Sequence, residues 1–255
     1  MVSAVNKVEE EKKEYFDTPE ELEAKTSELV EWIRQAERMV AFTGAGISTA
    51  AGIPDYRSGI DTVLETGPGC WEKAANREKY KADLADQGKP LPTAMRVPYN
   101  KTIQKAKPTL THMALTELMR QDLLKYIISQ NIDGLHRRSG IDPNKLADLH
   151  GNTNIEVCTK CRRSHMRDYR VRTSDKVKEH LTGRKCDTTG CRGDLRDTMV
   201  NFGESLNQNK LEEAGSKAIT SDLLLCLGSS MRVAPAPNMV NYTKSAGGKV
   251  VIINL

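Results

Sequence analysis

The chain has 255 residues, 38% hydrophobic and 28% charged, long enough to bury a real core without disulfide staples. A formal charge of +4 is too small for bulk attraction to nucleic acid and leaves only local patches able to act that way. No apolar run approaches a membrane span. The start of the chain, with Glu9, Glu10, Glu11, Lys12, Lys13 and Glu14, has neither the apolar centre of a signal peptide nor the acid-poor character of a transit peptide, so the sequence reads as soluble and intracellular.

Residues 1–17 read as a solvated arm. Thr18-Pro19-Glu20-Glu21 then opens a helix with a capping residue, a proline in the first turn and early acids, predicted to reach Glu37. Its stripe of Leu22, Leu29, Trp32, Ile33 and Ala36 assigns Trp32 to the core. Met39 to Thr43 is an apolar strand running into Gly44-Ala45-Gly46-Ile47-Ser48. Glycines at 44 and 46 let a pyrophosphate approach the backbone N–H groups, and the following residues can open a helix whose positive end favours an anion, so this turn is a candidate dinucleotide cradle. The spacing departs from the dehydrogenase fingerprint: Thr49 stands three residues after Gly46, and the next glycine is Gly52. Beyond it, Asp55, Tyr56 and Arg57 follow Pro54, a carboxylate and an arginine that a plain corner does not need.

From Ser58 to Lys107 the sequence is polar, carries Gly67, Pro68, Gly69, Pro90, Pro92 and Pro98, and offers one plausible helix near Trp71 to Asp86. A plain excursion from the sheet and a lid over the nucleotide fit it equally. Helical stretches at Thr111 to Gln121 and Asn209 to Ile219 then alternate with short apolar runs at Tyr126 to Ser129, Leu223 to Leu227 and Val250 to Ile253. That rhythm predicts an α/β fold, a Rossmann-like doubly wound parallel sheet with helices on both faces. Gln130, Asn131 and Asp133 leave the carboxyl end of one predicted strand, where ligands bind in open sheets. Leu149-His150-Gly151-Asn152 is similar, and a histidine in a polar turn can move a proton near neutral pH. His112, His165 and His180 read as structural, and His136 is open between the two.

Roughly Asn154 to Arg196 reads as a separate small module. Cys158-Thr-Lys-Cys161 and Cys186-Asp-Thr-Thr-Gly-Cys191 form two knuckles with 24 residues between them, the pattern of one tetrahedral zinc ion with no open position, hence structural. Cys70 and Cys226 are left over, the latter as a small buried residue. Between Cys158 and Arg192, 11 Lys or Arg stand against 4 Asp or Glu, a basic patch that suits either an acidic partner or a solvated surface.

The runs G-A-G-I-S-T-A-A-G-I-P-D-Y-R, S-Q-N-I-D-G-L-H, L-H-G-N, the paired cysteines, N-F-G-E, L-G-S-S and I-I-N-L occur in the order found in the sirtuins, and from about Tyr15 onward the chain resembles that family. Y-F-D-T-P-E-E-L and R-D-T-M-V-N-F-G-E are most similar to its class IV branch, which is largely nuclear. The resemblance implies an NAD-dependent protein-lysine deacylase that consumes NAD and releases nicotinamide and O-acyl-ADP-ribose. It implies Gly44, Ala45, Gly46 and Ser48 at the NAD phosphates, with Asp55, Tyr56 and Arg57 at the mouth of the nicotinamide pocket. Gln130 would meet the nicotinamide ribose. Asn131, Ile132 and Asp133 would form the carboxamide pocket, Asn131 and Asp133 sharing the catalytic work with His150 as general base. Gly228, Ser229, Ser230 and Asn254 would take the adenosine end; Val200, Phe202 and Gly203 would hold the acyl-lysine substrate, with histones as candidate partners.

The implied organisation is an arm at 1–17, a discontinuous NAD-binding domain at 18–57, 108–153 and 197–255, a cofactor loop and helical insert at 58–107, and a zinc module at 154–196. The passage between Arg57 and Trp71 is longer than the family pattern. The chain also stops at Leu255 where the family continues, so a truncated sheet with an exposed edge is expected. Mono-ADP-ribosyl transfer and a non-catalytic chromatin-binding module whose basic zinc region contacts nucleic acid are the rival expectations; a membrane partner is not expected.

Overall fold

The structure is a computed structural model that describes residues 14–58, 62–67, 69–72, 74, 86, 88 and 103–255. Most of the insert expected at 58–107, including most of the helix near Trp71 to Asp86, lies outside the described residues, as does most of the N-terminal arm.

The first helix, α1 (Pro19–Gln35), starts where the sequence places it: Thr18 and Glu21 form a reciprocal capping box, and Pro19 occupies the first turn. It ends two residues earlier than predicted. Leu29, Trp32, Ile33 and Ala36 pack on the core while Leu22 stays exposed. Beyond α1 the Asp222 carboxylate accepts the N–H groups of Glu37 and Arg38, which fixes the entry into the first strand.

Five parallel strands make the main sheet: β1 (Met39–Thr43), β2 (Leu124–Ser129), β3 (Leu146–Asp148), β8 (Leu223–Leu227) and β9 (Lys249–Ile253), in the order β3-β2-β1-β8-β9. β1 and β8 are buried along their whole length, which is why they read as unbroken apolar runs. Their alternate residues feed two cores. Met39, Ala41, Leu223 and Leu225 pack toward α1 and α2 (Leu110–Arg120). Val40, Phe42, Leu224 and Cys226 pack toward α4 (Gln208–Thr220) and α5 (Asn238–Ser245). The doubly wound expectation therefore holds. β9 lies at the sheet edge with Ile252 and Ile253 about half exposed.

α3 (Leu135–Arg138) is a single turn after β2. Arg138 in it donates to the carbonyls of Ile103, Ala106 and Asp133, tying the returning chain to the sheet. A second, antiparallel sheet of four short strands, in the order β5-β4-β7-β6, comprises β4 (Ile155–Cys158), β5 (Ser164–Met166), β6 (Leu181–Lys185) and β7 (Asp194–Asp197). Leu195 and the four knuckle cysteines form its core.

Candidate functional site

Five strand ends share one level. Register pairs Thr43 with Ser129 and Leu227, Ser129 with Asp148, and Leu227 with Ile253. Each ladder continues one residue further: the N–H groups of Gly44, Gln130, Leu149 and Gly228 donate to the carbonyls of Leu227, Thr43, Ser129 and Ile253. The turns after these strands are thus presented side by side at the carboxyl edge, where β1 lies between β2 and β8.

They surround a cavity of about 810 Å³, inside the range of about 300–1,000 Å³ usual for small-molecule and cofactor sites. Gly44, Ala45 and Gly46 line it from β1, followed by Asp55, Tyr56 and Arg57. Gln130, Asn131 and Ile132 reach it from β2 and His150 from the turn after β3. Gly228, Ser229 and Ser230 line it from β8, Asn254 from β9, and Val200, Phe202 and Gly203 from the passage after β7. Ser48 and Asp133 do not reach its surface. Both are buried beneath it, with the Ser48 hydroxyl donating to Asp133 Oδ2 at 2.7 Å and the Leu135 N–H donating to Oδ1 at 2.8 Å. Burial raises the Asp133 carboxyl above the ordinary carboxylate range, against the pull of those two bonds.

Gly44 and Gly46 differ from the sequence expectation in their physical reason. A Cβ on Gly44 would meet Gly228 O at 2.7 Å, and one on Gly46 would meet Gly228 Cα at 2.8 Å. Their N–H groups are engaged by Leu227 O and Gly228 O, at 3.0 and 2.8 Å. The glycines let the turn after β1 lie against the turn after β8, and that contact builds the floor a phosphate could rest on. Ala45–Ala51 is a short 3-10 segment in place of the helix expected after Ile47. Asn131 Nδ2 donates to Gly44 O at 2.9 Å, holding the β2 turn to the same floor.

His150 Nδ1 stands 3.0 Å from the Gln130 carbonyl. A carbonyl only accepts, so Nδ1 carries the proton and Nε2 is the basic nitrogen of the neutral ring. Burial lowers the His150 value below 6.5, and the Gln130 bond offsets part of that. Gly151, at φ 81°, lets this turn close on the chain after β7: a Cβ there would fall 1.9 Å from Thr198 O. Gln130 is fixed as well, its Oε1 accepting from the Ser229 hydroxyl at 2.7 Å.

Several lining residues escaped the sequence reading. Trp71 sits under the Arg57 guanidinium at 4.5 Å and touches the rings of Tyr56 and Phe202, at centroid distances of 5.4 and 5.6 Å. It joins the segment after β1 to the one after β7; its place in Gly67-Pro68-Gly69-Cys70-Trp71 was the available signal. Glu14 belonged to the supposed solvated arm, yet it lines the cavity and accepts the Thr62 hydroxyl and the Val63 N–H.

The four cysteines converge. Cys158, Cys161, Cys186 and Cys191 place their sulfurs within 4.8 Å of one another, with Cys158–Cys191 at 3.5 Å and Cys161–Cys186 at 3.7 Å. Tetrahedral Zn–S bonds of about 2.3 Å require sulfur separations of about 3.8 Å, so the donor set fits one structural zinc ion. The N–H groups of Lys160 and Cys161 point at Cys158 Sγ. His165 stands beside the cluster, between Cys186 Sγ and Asp187. His112 and His136 pack ring to ring in the core, 4.9 Å apart, and His136 Nε2 hydrogen-bonds Thr43 Oγ1.

A parallel sheet with its ligand cavity at the carboxyl edge, joined to a four-cysteine metal module, defines a nucleotide-site α/β protein with a structural zinc. Residues 44–235 match the Sir2 family. The NAD-dependent protein deacetylase sirtuin-7 of Bos taurus is 42% identical over 95% of this chain and 56% of its own length. The NAD-dependent protein deacetylase SRT1 of Oryza sativa subsp. indica is 40% identical over 95% and 44%. A Sir2 protein solved with a p53 peptide and NAD+ superposes with a TM-score of 0.60 at 30% identity, over 90% of this chain and 86% of that one. The chain belongs to the Sir2 family, and the likeness to sirtuin-7 agrees with the class IV branch. It spans about half the length of the curated relatives it matches.

Proposed function

We propose that the chain is an NAD-dependent protein-lysine deacylase. One observation carries this reading: the glycine turns at 44–46 and 228, the Gln130 to Ile132 run and the His150 imidazole open into a single cavity. NAD held there would supply an electrophilic ribose carbon, with nicotinamide as its leaving group. The chain's residues do the rest. Gly44 to Gly46 and Gly228 to Ser230 hold the phosphates and adenosine end, together with Asn254. Asn131 and Ile132 face the carboxamide, Gln130 orients the ribose, and Asp133 with Ser48 keeps the Asn131 turn in place from below. Asp55, Tyr56 and Arg57 with Trp71 close the nicotinamide end against water. His150 accepts a hydroxyl proton at Nε2, its other nitrogen held by the Gln130 carbonyl. Val200, Phe202 and Gly203 take the acyl-lysine and the backbone beside it as an added strand.

The NAD-domain boundaries, the 58–107 insert and the 154–196 module are proposed as read from the sequence. A nuclear location and contact with histones or chromatin are proposed on a separate ground. Lys160, Arg162, Arg163 and Arg192 are exposed around the cysteine cluster with no ion pair among the described residues, a surface suited to an acidic partner. Incubation with acetyl-lysine peptide and NAD should release nicotinamide and deacetylated peptide in step. Labelled NAD left covalently on protein would instead mark ADP-ribosyl transfer, and no nicotinamide at all would refute both enzymatic readings.

A further inference from the structure

Val200 to Gly203, assigned above to substrate, has no sheet of its own to hold it. The segment leaves β7 at Asp197 and closes on itself at Glu204, whose carboxylate accepts the Asn201 N–H at 2.8 Å and the Asn201 amide at 2.9 Å. Its other end is clipped by Asp197 Oδ1, which accepts the Met199 N–H at 2.9 Å. Between the two clips stands His180, the residue just before β6, with Nδ1 3.1 Å from Asp197 Oδ1 and Nε2 3.2 Å from Glu204 Oε1. Carboxylates only accept, so both contacts are complete when the imidazole carries two protons and donates from each side.

The surroundings are equally specific. The Lys178 N–H donates to Glu204 Oε1 at 2.7 Å, and the Asp197 N–H donates to His180 O at 2.8 Å. Arg172, buried with its guanidinium 3.6 Å from Asp197, donates to the carbonyls of Ser174 and Lys176 and so shapes the loop that delivers Lys178 and His180. Burial pushes the Glu204 carboxyl up, but the Asn201 and Lys178 donors and the His180 charge outweigh it and bring it down to about 2. The braced segment in turn meets the proton-handling turn, because the Val200 N–H donates to His150 O at 3.0 Å.

We propose that His180 is a positioning residue: it staples both ends of the 197–204 segment to the cysteine module and thereby fixes the surface that receives an extended acyl-lysine peptide. The inference rests on the deacylase reading for the identity of the peptide, and on the geometry alone for the staple. His180 bonds to Asp197 and to Glu204, which also lines the cavity; neither is assigned above to NAD, so its effect falls on the peptide.

The test uses the full chain with His180→Ala and His180→Gln. Backbone amides of 199–204 should exchange with deuterium about tenfold faster in His180→Ala, while those of β1 and β8 keep their protection. The KM for an acetyl-lysine peptide should rise about tenfold, with kcat and the KM for NAD within about twofold. His180→Gln, whose amide nitrogen can face one carboxylate while its oxygen faces the other, should fall between, and it serves where the alanine variant does not fold. Unchanged exchange across 199–204 in both variants overturns the staple. A parallel rise of both KM values overturns the positioning role in favour of general destabilisation. Failure of the unsubstituted chain to turn over or bind the acetyl-lysine peptide sinks the deacylase reading instead, with the exchange result still deciding the staple.

Discussion

Gly46→Ala separates two reasons for a glycine-rich turn. If the glycine exists to admit a phosphate, the substitution leaves the ligand-free protein intact and harms only nucleotide binding. The structure gives the opposite answer. The new Cβ meets Gly228 Cα at 2.8 Å and Gly228 O at 2.9 Å, both backbone atoms that cannot rotate away. Overpacking of this kind costs about 1–3 kcal/mol. Spreading the two turns also stretches the bonds from Gly44 N to Leu227 O and Gly46 N to Gly228 O, each with a net value of about 1 kcal/mol. A loss of about 2–4 kcal/mol follows, which for a chain of this size lowers Tm by roughly 5–15 °C. Differential scanning calorimetry of the protein without nucleotide reads it directly. A ligand-free Tm within about 1 °C of the parent, with weakened NAD binding, would refute the packing argument and restore the phosphate explanation.

Further outcomes follow from the same geometry. His150→Ala should cut turnover by about 10²–10⁴ while leaving Tm nearly unchanged, measured by nicotinamide release. Because burial lowers the His150 value, the acid limb of the kcat–pH profile should lie below pH 6.5; a limb above it contradicts the assigned environment. Denaturation in a colorimetric chelator should release one zinc per chain, and Cys161→Ser should carry less and lose the β4–β7 fold, because structural zinc supplies about 10 kcal/mol or more of folding free energy. Burial, with Arg138 nearby, takes His112 to about 4, and burial with His112 alongside takes His136 to about 3. The unfolded chain binds these protons below pH 6.5 while the folded one refuses them, so stability should fall with pH through that window, by roughly 1.4 kcal/mol per histidine at pH 5.5. His112→Gln should flatten the slope of Tm against pH, and an equally steep slope in that variant would assign the acid lability elsewhere.

What could be read from the sequence depends on how many faces of each element are buried. β1 and β8 are covered on both sides, so their residues are apolar save Thr43, whose hydroxyl is bonded to His136, and Met39–Thr43 and Leu223–Leu227 match the expectation to the residue. β3 escaped notice because three residues, ending in the buried Asp148, are too few to show a period. That aspartate is affordable there because Arg137 pairs with it at 2.8 Å. β5 and β6 escaped for another reason. Their alternation is weak, since their small sheet closes around four sulfurs and Leu195 instead of a broad apolar face.

The site divides along the same line. Gln130 and His150 were legible as polar residues in turns after apolar runs, and Ser229 through the family motif L-G-S-S; strand register then brings the three together. His180 was not: it is 30 residues from His150 and 24 from Glu204, and nothing in a string shows that its two nitrogens will meet two carboxylates. A histidine flanked in sequence by Glu179 and Leu181 reads as structural, with no partner indicated. Only the fold of the cysteine module, which turns β6 beside β7, carries it to Asp197 and Glu204. The cysteine module and the 197–204 segment are therefore joined through His180, although the sequence presents them as separate motifs.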